Sequence, residues 1–177
     1  MNTESLRAEL ERKFRELTLM LYDTSVSPRQ VDATIAQLLA DGVRFVDPWQ
    51  TGAGKEKYRL GAAGFHSMFR FDFEIHQAAI ELSADARTGR ALIDGVMYLR
   101  YVPLYPYPLR TFLVYRFSLP TPGDPSKLLI EFHEEMWSLG DMIAAVPGFG
   151  WLYARLFRPA FNVGFLGASY LFSRGKR

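Results

Sequence analysis

The residue best suited to chemistry in this sequence is Asp47, an acid at the end of a predicted strand. Apolar and polar residues alternate from Val43 to Val46, as in a half-buried strand, and Pro48 then stops the strand because it has no backbone N–H. A carboxylate near an apolar wall has a raised pKa and can transfer a proton near neutral pH. An Asp before Pro also commonly caps a turn with its side chain. The sequence leaves both roles of Asp47 open.

A second candidate group lies on one predicted strand near residue 133. Alternate residues of a strand point to the same face, so one face carries Glu131, His133, Glu135 and Trp137. A histidine oriented by a carboxylate could act as an acid or a base. The alternatives are a buried polar ladder tied to neighbouring strands, or the outer face of the sheet. A bulge could also exchange the two faces.

The remaining histidines and one further acid are weaker candidates. We expect His66 on the exposed face of a helix and His76 on a strand that could face a pocket. Asp94 lies in phase with Tyr98 and Arg100 on the next strand, which makes it a second candidate acid. The chain has no cysteine and only three histidines, which are scattered, so we expect neither a metal site nor a cofactor.

Helical periodicity in the first part of the chain predicts the elements that position Asp47. Three helices are expected, over residues 3–22, 28–41 and 55–69. Ser27 can cap the second helix, with Pro28 in its first turn. The predicted strand that ends at Asp47 therefore lies between the second and third helices, where a pocket is common.

From residue 71 onward the period changes from helical to strand-like. Four strands are predicted, over residues 73–82, 90–102, 110–119 and 127–139, with short connections that favour antiparallel pairing. The prolines within residues 103–108 predict a stiff, partly extended loop. The order of elements predicts an α+β fold, with helices on one face of a curved, mainly antiparallel sheet.

Three segments resemble the SnoaL-like branch of the nuclear transport factor 2 (NTF2-like) superfamily. They are Val-Arg-Phe-Val-Asp-Pro at 43–48, Phe-His-Ser-Met-Phe at 65–69 and Glu-Phe-His-Glu-Glu-Met-Trp-Ser-Leu at 131–139, and the likeness covers about residues 5 to 140. Phe69, Arg70, Phe73 and His76 match a motif of uncharacterised plant and cyanobacterial members, which the chain resembles most. The resemblance implies a cone-shaped domain in which the sheet wraps a long helix and leaves an apolar cavity open at one end.

Ketosteroid isomerase, a member of the superfamily, uses an aspartate before this proline as its general base. The resemblance therefore implies that role for Asp47, and the nearest match to the isomerase's oxyanion-binding tyrosine is Tyr22. The isomerase's second oxyanion-binding acid has no counterpart, since Leu113 or Val114 stands there. The Asp-Arg-Asp set of the limonene epoxide hydrolases is also absent, because Ser118 stands two residues after Arg116.

Two classes of function follow from the resemblance. The first is a cofactor-independent isomerase, dehydratase or cyclase acting on an apolar small molecule, such as a terpenoid, polyketide or steroid-like compound. The second is a non-catalytic module that binds a lipid or pigment-like ligand. In either case we expect His133 to join Asp47 and Tyr22 in the site. The predicted pocket wall contains Trp49, Phe65, Phe69, His76, Tyr98, Glu135 and Trp137.

Composition restricts the partners and the compartment of the protein. Hydrophobic residues make up 49% of the chain and aromatics 15%, so more apolar side chain is present than one ordinary core requires. The net charge of +2 is small and the basic residues are scattered, which argues against nucleic acid. The absence of cysteine fits a cytoplasmic or other reducing intracellular compartment. The N-terminus lacks the apolar segment of a secretory signal.

Residues 140–177 predict an apolar helical extension to a domain formed by residues 1–139. Pro147 and Gly148 interrupt this extension, and no run is long enough for a membrane span. So much apolar side chain must be covered. The alternatives are packing on the domain as a lid, packing on a second subunit in a homodimer, or peripheral contact of residues 140–173 with a membrane.

Overall fold

The computed structural model describes residues 2–48, 50–102, 105–146 and 148–174. Its internal contacts divide the chain into two units, Met1–Trp137 and Ser138–Arg177. Among the described residues, the first unit contains three α-helices, a short 3₁₀ helix (Pro125–Lys127) and a six-stranded sheet, and the second unit is helical.

The first helix, α1 (Thr3–Leu21), is the long helix of the first unit. It begins after Asn2, whose Oδ1 accepts a hydrogen bond from the Ser5 backbone N–H at 2.7 Å. Apolar residues recur every three or four positions and form one buried stripe: Leu6, Leu10, Phe14, Leu17 and Leu21. Because this stripe needs an apolar partner, α1 packs on β3 (Phe71–Leu82) and β4 (Thr88–Val102) of the sheet.

Two shorter helices complete the helical layer. In α2 (Pro28–Leu38), Ser27 and Gln30 form a reciprocal capping box that satisfies backbone N–H groups of the first turn. In α3 (Lys55–Met68), the preceding residue Gly54 has a φ of 101°, a conformation that favours glycine. α3 contacts α2 and the first two strands.

Besides β3 and β4, the sheet contains β1 (Leu39–Val46), β2 (Thr51–Ala53), β5 (Tyr105–Ser118) and β6 (Leu129–Trp137). Its spatial order is β2-β1-β6-β5-β4-β3. All neighbouring strands are antiparallel except β1 and β6, which are parallel. The predicted α+β fold with a curved, mainly antiparallel sheet is therefore confirmed.

The parallel pair of β1 and β6 brings the two candidate groups of the sequence together. In this pair Phe45 lies opposite His133 and Val46 lies opposite Glu134. Asp47, the next residue after β1, therefore emerges at the level of Glu135. The third helix follows β2 and covers this part of the sheet, so both acids lie beside the same helix.

The prediction of a loop over residues 103–108 is wrong for residues 105–108, which belong to a strand. β5 begins at Tyr105, and Tyr107 and Pro108 pair with β4. Proline is tolerated in this strand because β5 pairs with β6 only from Thr111 onward, so the earlier residues lie at a sheet edge. Residues 103 and 104 lie outside the described residues.

The core of the first unit lies between α1 and the inner face of the sheet. Phe14 contacts the rings of Tyr115 and Phe117, with centroid distances of 5.3 and 5.2 Å. These three side chains are almost completely buried. Burial of a large aromatic side chain contributes roughly 2–3 kcal/mol to folding, so this cluster fixes α1 against β5.

The second unit consists of α4 (Leu139–Ala145), α5 (Phe149–Leu152), a π-helical turn (Tyr153–Phe157) and α6 (Arg158–Arg174). Gly148, with a φ of 81°, precedes α5. From Phe149 to Arg174 the chain is helical throughout. No helix among the described residues is both long enough and apolar enough to cross a membrane.

Candidate functional site

The first unit contains a cavity of about 460 Å³ between α1, α3, β1 and β6. This volume is typical of sites that bind small molecules. Its apolar wall consists of Leu21, Phe45, Val46, Ala62, Phe65 and Phe69. Its polar groups come from Tyr22, Asp47, Gln50, Tyr58, His66, His133, Glu135 and Trp137. A mostly apolar wall with a few grouped polar atoms suits an apolar ligand that carries one or two oxygens.

His133 lies at the centre of the polar groups and is 4% exposed. Its Nδ1 is 2.7 Å from the Tyr58 hydroxyl and its Nε2 is 3.2 Å from the Tyr22 hydroxyl. Its ring also stacks on Tyr115 at a centroid distance of 4.4 Å. Burial lowers the pKa of His133 to about 3, because the charged imidazolium would lose its hydration. His133 is therefore neutral at physiological pH.

The hydrogen bonds around His133 have a definite direction when Glu135 is ionised. The Tyr22 hydroxyl donates to Oε1 of Glu135 in a short hydrogen bond. Tyr22 then accepts from the N–H at Nε2 of His133, and Nδ1, which carries no proton, accepts from the Tyr58 hydroxyl. The result is a chain of three hydrogen bonds that begins at Tyr58 and ends at Glu135 in the cavity wall.

Glu135 is the cavity group best placed to exchange a proton near neutral pH. Loss of hydration at this half-buried position raises the pKa of Glu135 to about 7, against an opposing effect of the Tyr22 hydrogen bond. The nearby charge of Asp47 raises this pKa further, and the side chain of Trp137 lowers it. Both protonation states of Glu135 are therefore populated at physiological pH.

Asp47 lines the cavity and also closes a turn. Its Oδ1 accepts a hydrogen bond from the Gln50 backbone N–H at 2.8 Å, and its own N–H donates to the Gln50 carbonyl at 2.9 Å. The capping role that the sequence left open is therefore present. Asp47 also lines the cavity, and its role in proton transfer stays a prediction.

Glu135 places a carboxyl group next to Leu113, a position that has no acid of its own. In the β5–β6 pair, Glu135 lies directly opposite Leu113, the position at which the isomerase's second oxyanion-binding acid was sought. Directly opposite residues of an antiparallel pair point to the same face of the sheet. A carboxyl group therefore lies beside Tyr22, but it comes from the neighbouring strand.

Tyr58 and His66 belong to the cavity wall although the sequence did not predict this role. Tyr58 is on the apolar stripe of α3, and the signal that could have identified it is that a buried tyrosine hydroxyl needs a partner. The expectation that His66 is exposed is wrong, because it is half-buried with Nε2 2.8 Å from the Leu21 carbonyl oxygen. That carbonyl lies in the last turn of α1, where it has no partner within the helix.

The structure places the predicted site residues as follows. The cavity wall includes Tyr22, Asp47, Phe65, Phe69, His133, Glu135 and Trp137, whereas Trp49 lies outside the described residues.

Two predicted pocket residues, His76 and Tyr98, do not line this cavity. Both lie near Glu74: His76 Nε2 is 3.7 Å from its carboxylate, and the Tyr98 hydroxyl donates to it at 2.9 Å. The inner face of β3 and β4 is formed instead by buried residues such as Phe73 and Met97. His76 is also the residue at which the β3–β4 register shifts, which breaks the alternation assumed from the sequence.

Two acids predicted near the site lie elsewhere. Asp94 forms a two-pronged ion pair with Arg110, at 2.7 and 2.6 Å, and does not line the cavity. Glu131 is exposed, whereas His133 is buried, because the β5–β6 register skips Glu131 as a bulge. Among the described residues, no group of three or more His, Asp or Glu side chains could hold a metal ion.

No family model and no curated protein matches the sequence. Solved structures do match. An NTF2-like superfamily protein from Salmonella enterica has a TM-score of 0.61 at 10% identity, covering 77% of this chain and 93% of that protein. Nuclear transport factor 2 from Cryptosporidium parvum has a TM-score of 0.56 at 12% identity, covering 74% and 94%.

A SnoaL-like family protein from Agrobacterium tumefaciens, itself a proposed isomerase, has a TM-score of 0.53 at 14% identity, covering 73% of this chain and 98% of that protein. At such low identities these likenesses show the fold alone, and the fold is NTF2-like. Proteins with this fold include catalysts and binding modules, so function must be argued from the cavity.

Proposed function

We propose that the cavity binds an apolar small molecule with a carbonyl or hydroxyl oxygen and catalyses proton transfer on it without a cofactor. The observation that carries this proposal is the hydrogen-bonded chain of Tyr58, His133, Tyr22 and Glu135, which ends in a mostly apolar cavity. Isomerisation, dehydration and cyclisation of terpenoid, polyketide or steroid-like compounds all require such proton transfer. The suggested nearness to plant and cyanobacterial members remains part of this proposal.

Tyr22 and protonated Glu135 are the proposed hydrogen-bond donors to the ligand oxygen. When Glu135 is protonated, its carboxyl group no longer needs the Tyr22 hydroxyl as a donor. The Tyr22 O–H and the carboxyl O–H of Glu135 can then both donate to the ligand. Negative charge that develops on the ligand oxygen is then stabilised in a site with little competing water. The pKa of Glu135, raised to about 7, supports this role because it keeps the proton available at physiological pH.

Asp47 is the proposed general base. It would remove a proton from a carbon next to the ligand carbonyl, leaving an enolate whose oxygen is held by Tyr22 and Glu135, and would return the proton to another carbon. His133 does not act as a base in this scheme, because its pKa is about 3 and both ring nitrogens have partners. It positions Tyr22 instead.

A proton-exchange experiment tests the catalytic part of the proposal. The protein is incubated in deuterated buffer with 2-cyclohexenone, and deuterium next to the carbonyl is followed by nuclear magnetic resonance. We expect protein-dependent exchange, and Asp47→Asn should lower its rate by roughly 10²- to 10⁴-fold, the usual contribution of a general base. Asp41→Asn is the control, since Asp41 is exposed on the same strand.

A binding experiment tests the proposed oxygen site. The fluorescent probe 2-naphthol carries one acidic hydroxyl on an apolar body, as the cavity requires. Tyr22→Phe should weaken its binding by roughly 3- to 10-fold, because the variant loses a hydrogen bond to the naphthol oxygen. Tyr98→Phe should leave binding unchanged, since Tyr98 does not line the cavity.

The alternative function is a non-catalytic binding module for a lipid or pigment-like ligand in the same cavity. It is favoured if 2-naphthol binds without dependence on Tyr22 and no deuterium exchange is detected. A probe that does not bind at all contradicts both functions. Native mass spectrometry of protein from its source cell would then identify any retained ligand and its chemical class.

A further inference from the structure

The helical segment from Phe149 to Arg174, here called the C-terminal helix, has an unusually apolar surface. Nine of its large apolar side chains have exposed fractions between 45% and 71%: Phe149, Trp151, Leu152, Leu156, Phe157, Phe161, Val163, Phe165 and Leu166. An ordinary helix of a globular protein buries such residues against a core. A continuous exposed apolar surface of this kind marks a contact site.

The aromatic side chains of the C-terminal helix form a row along its length. Tyr153, Phe157, Phe161 and Phe165 follow one another at four-residue spacing, and their neighbouring rings are nearly parallel with centroids 5.6, 6.0 and 6.2 Å apart. A helix brings residues four apart onto adjacent turns. The row therefore presents aromatic rings along several turns of one helix side.

Three polar residues of the C-terminal helix form a narrow stripe. Arg155, Arg158 and Asn162 have the spacing i, i+3 and i+7, which places them on one side of a helix. Arg155 and Arg158 are exposed. Apolar side chains also lie on this side, since Leu166 is four residues after Asn162, so the helix has a wide apolar surface that carries positive charge.

The sequence after Asp141 carries only positive charges. After Asp141 it contains five basic residues, Arg155, Arg158, Arg174, Lys176 and Arg177, and no acidic residue. In a symmetric dimer the same patch faces itself, so the arginines would meet a surface that carries positive charge and no acidic residue. Lipid phosphate and anionic headgroups offer the opposite charge next to an apolar layer. The charge therefore favours a membrane surface over a second copy of the chain.

We propose that the C-terminal helix binds the surface of a membrane that contains anionic lipids. Its phenylalanine, leucine and tryptophan side chains enter the boundary between headgroups and acyl chains, and its arginines contact lipid phosphates. Electrostatic attraction and buried apolar area both contribute to such binding. This inference does not depend on the function proposed for the cavity.

A vesicle sedimentation experiment with the full chain tests this proposal. The vesicles contain either phosphatidylcholine alone or phosphatidylcholine mixed with phosphatidylglycerol. We expect stronger binding to the anionic vesicles, and weaker binding as salt is added, because salt screens the arginines. The double variant Arg155→Glu and Arg158→Glu should bind the anionic vesicles at least roughly 25-fold more weakly, since each basic group near the surface contributes about fivefold.

A matched control separates a local effect from a change in net charge. The double variant Arg7→Glu and Arg29→Glu makes the same change in charge at two exposed positions of the first unit, and it should bind almost as tightly as the natural chain. A second variant, Phe157→Ser with Phe161→Ser, should weaken binding to both vesicles. Circular dichroism of each variant shows whether it is folded.

Three results would overturn the proposal. The first is no binding of the folded natural chain to anionic vesicles. The second is equal loss of binding in the Arg155/Arg158 and Arg7/Arg29 variants, which would show only a general charge effect. The third is a stable oligomer in which the phenylalanine variant dissociates and vesicles do not compete, because the apolar surface would then be covered by a second copy.

Discussion

Glu135 should make the protein less stable as pH rises. This is the opposite of a salt-bridged acid, whose stabilising effect is lost as pH falls. The folded-state pKa is about 7, whereas the reference value is 4.5. The folded protein therefore holds this proton more tightly than the unfolded chain does. The stabilising effect is fully present below pH 4.5 and is lost as pH rises through about 7.

The magnitude follows from the difference between these two pKa values. A difference of about 2.5 corresponds to about 3 kcal/mol, since one pKa unit is about 1.4 kcal/mol. Because Glu135 is only half-buried, we expect about 1–3 kcal/mol. Glu135→Gln removes the titration but keeps an oxygen that can accept from Tyr22. The free energy of unfolding of the natural chain should therefore fall by this amount relative to Glu135→Gln as pH rises.

Urea unfolding, followed by circular dichroism at a series of pH values, measures this difference. The control is Glu131→Gln, because Glu131 is exposed on the same strand and does not line the cavity. Its pH dependence should follow that of the natural chain. If the natural chain and Glu135→Gln give parallel curves across the whole range, the raised pKa of Glu135 and the argument that uses it are wrong.

Two further predictions concern the groups around the site. Tyr58→Phe leaves the buried Nδ1 of His133 without its hydrogen bond, so it should lower the free energy of unfolding in urea by about 1–3 kcal/mol. The control Tyr98→Phe, on the exposed face, should change this free energy by no more than about 0.5 kcal/mol. Gly95→Ala should lower the melting temperature markedly, because the added Cβ carbon would lie 2.3 Å from a backbone carbonyl oxygen of β3. The control Gly42→Ala should lower it little, because its added Cβ would have no neighbouring atom within 4 Å.

Local patterns in the sequence predicted much of the fold, because each helix cap, helix stripe and strand is determined by residues that are neighbours in the sequence. The stripe of α1, the cap at Ser27 and the strand before Asp47 each depend on neighbouring residues. His133 and Glu135 are two residues apart on one strand, so the sequence could also place them on the same face.

Other features depend on contacts between distant segments, which periodicity does not record. The bulge at Glu131 arises from the register with β5, and the burial of His66 arises from a carbonyl of α1. Tyr58 fits an apolar stripe equally well with or without a partner for its hydroxyl, so its bond to His133 was missed. The acid opposite Leu113 could be found only from the β5–β6 register.

The parallel pairing of β1 with β6 has a consequence for how the protein folds. The residues that pair, such as Phe45 and His133, are 88 positions apart in the sequence. Contacts between residues so far apart require closure of a long loop, and domains rich in such contacts fold slowly. The cavity thus assembles only when the last strand of the unit docks beside the first. A chain that stops before His133, as during synthesis, lacks three residues of the cavity wall, His133, Glu135 and Trp137, and so has no complete binding site.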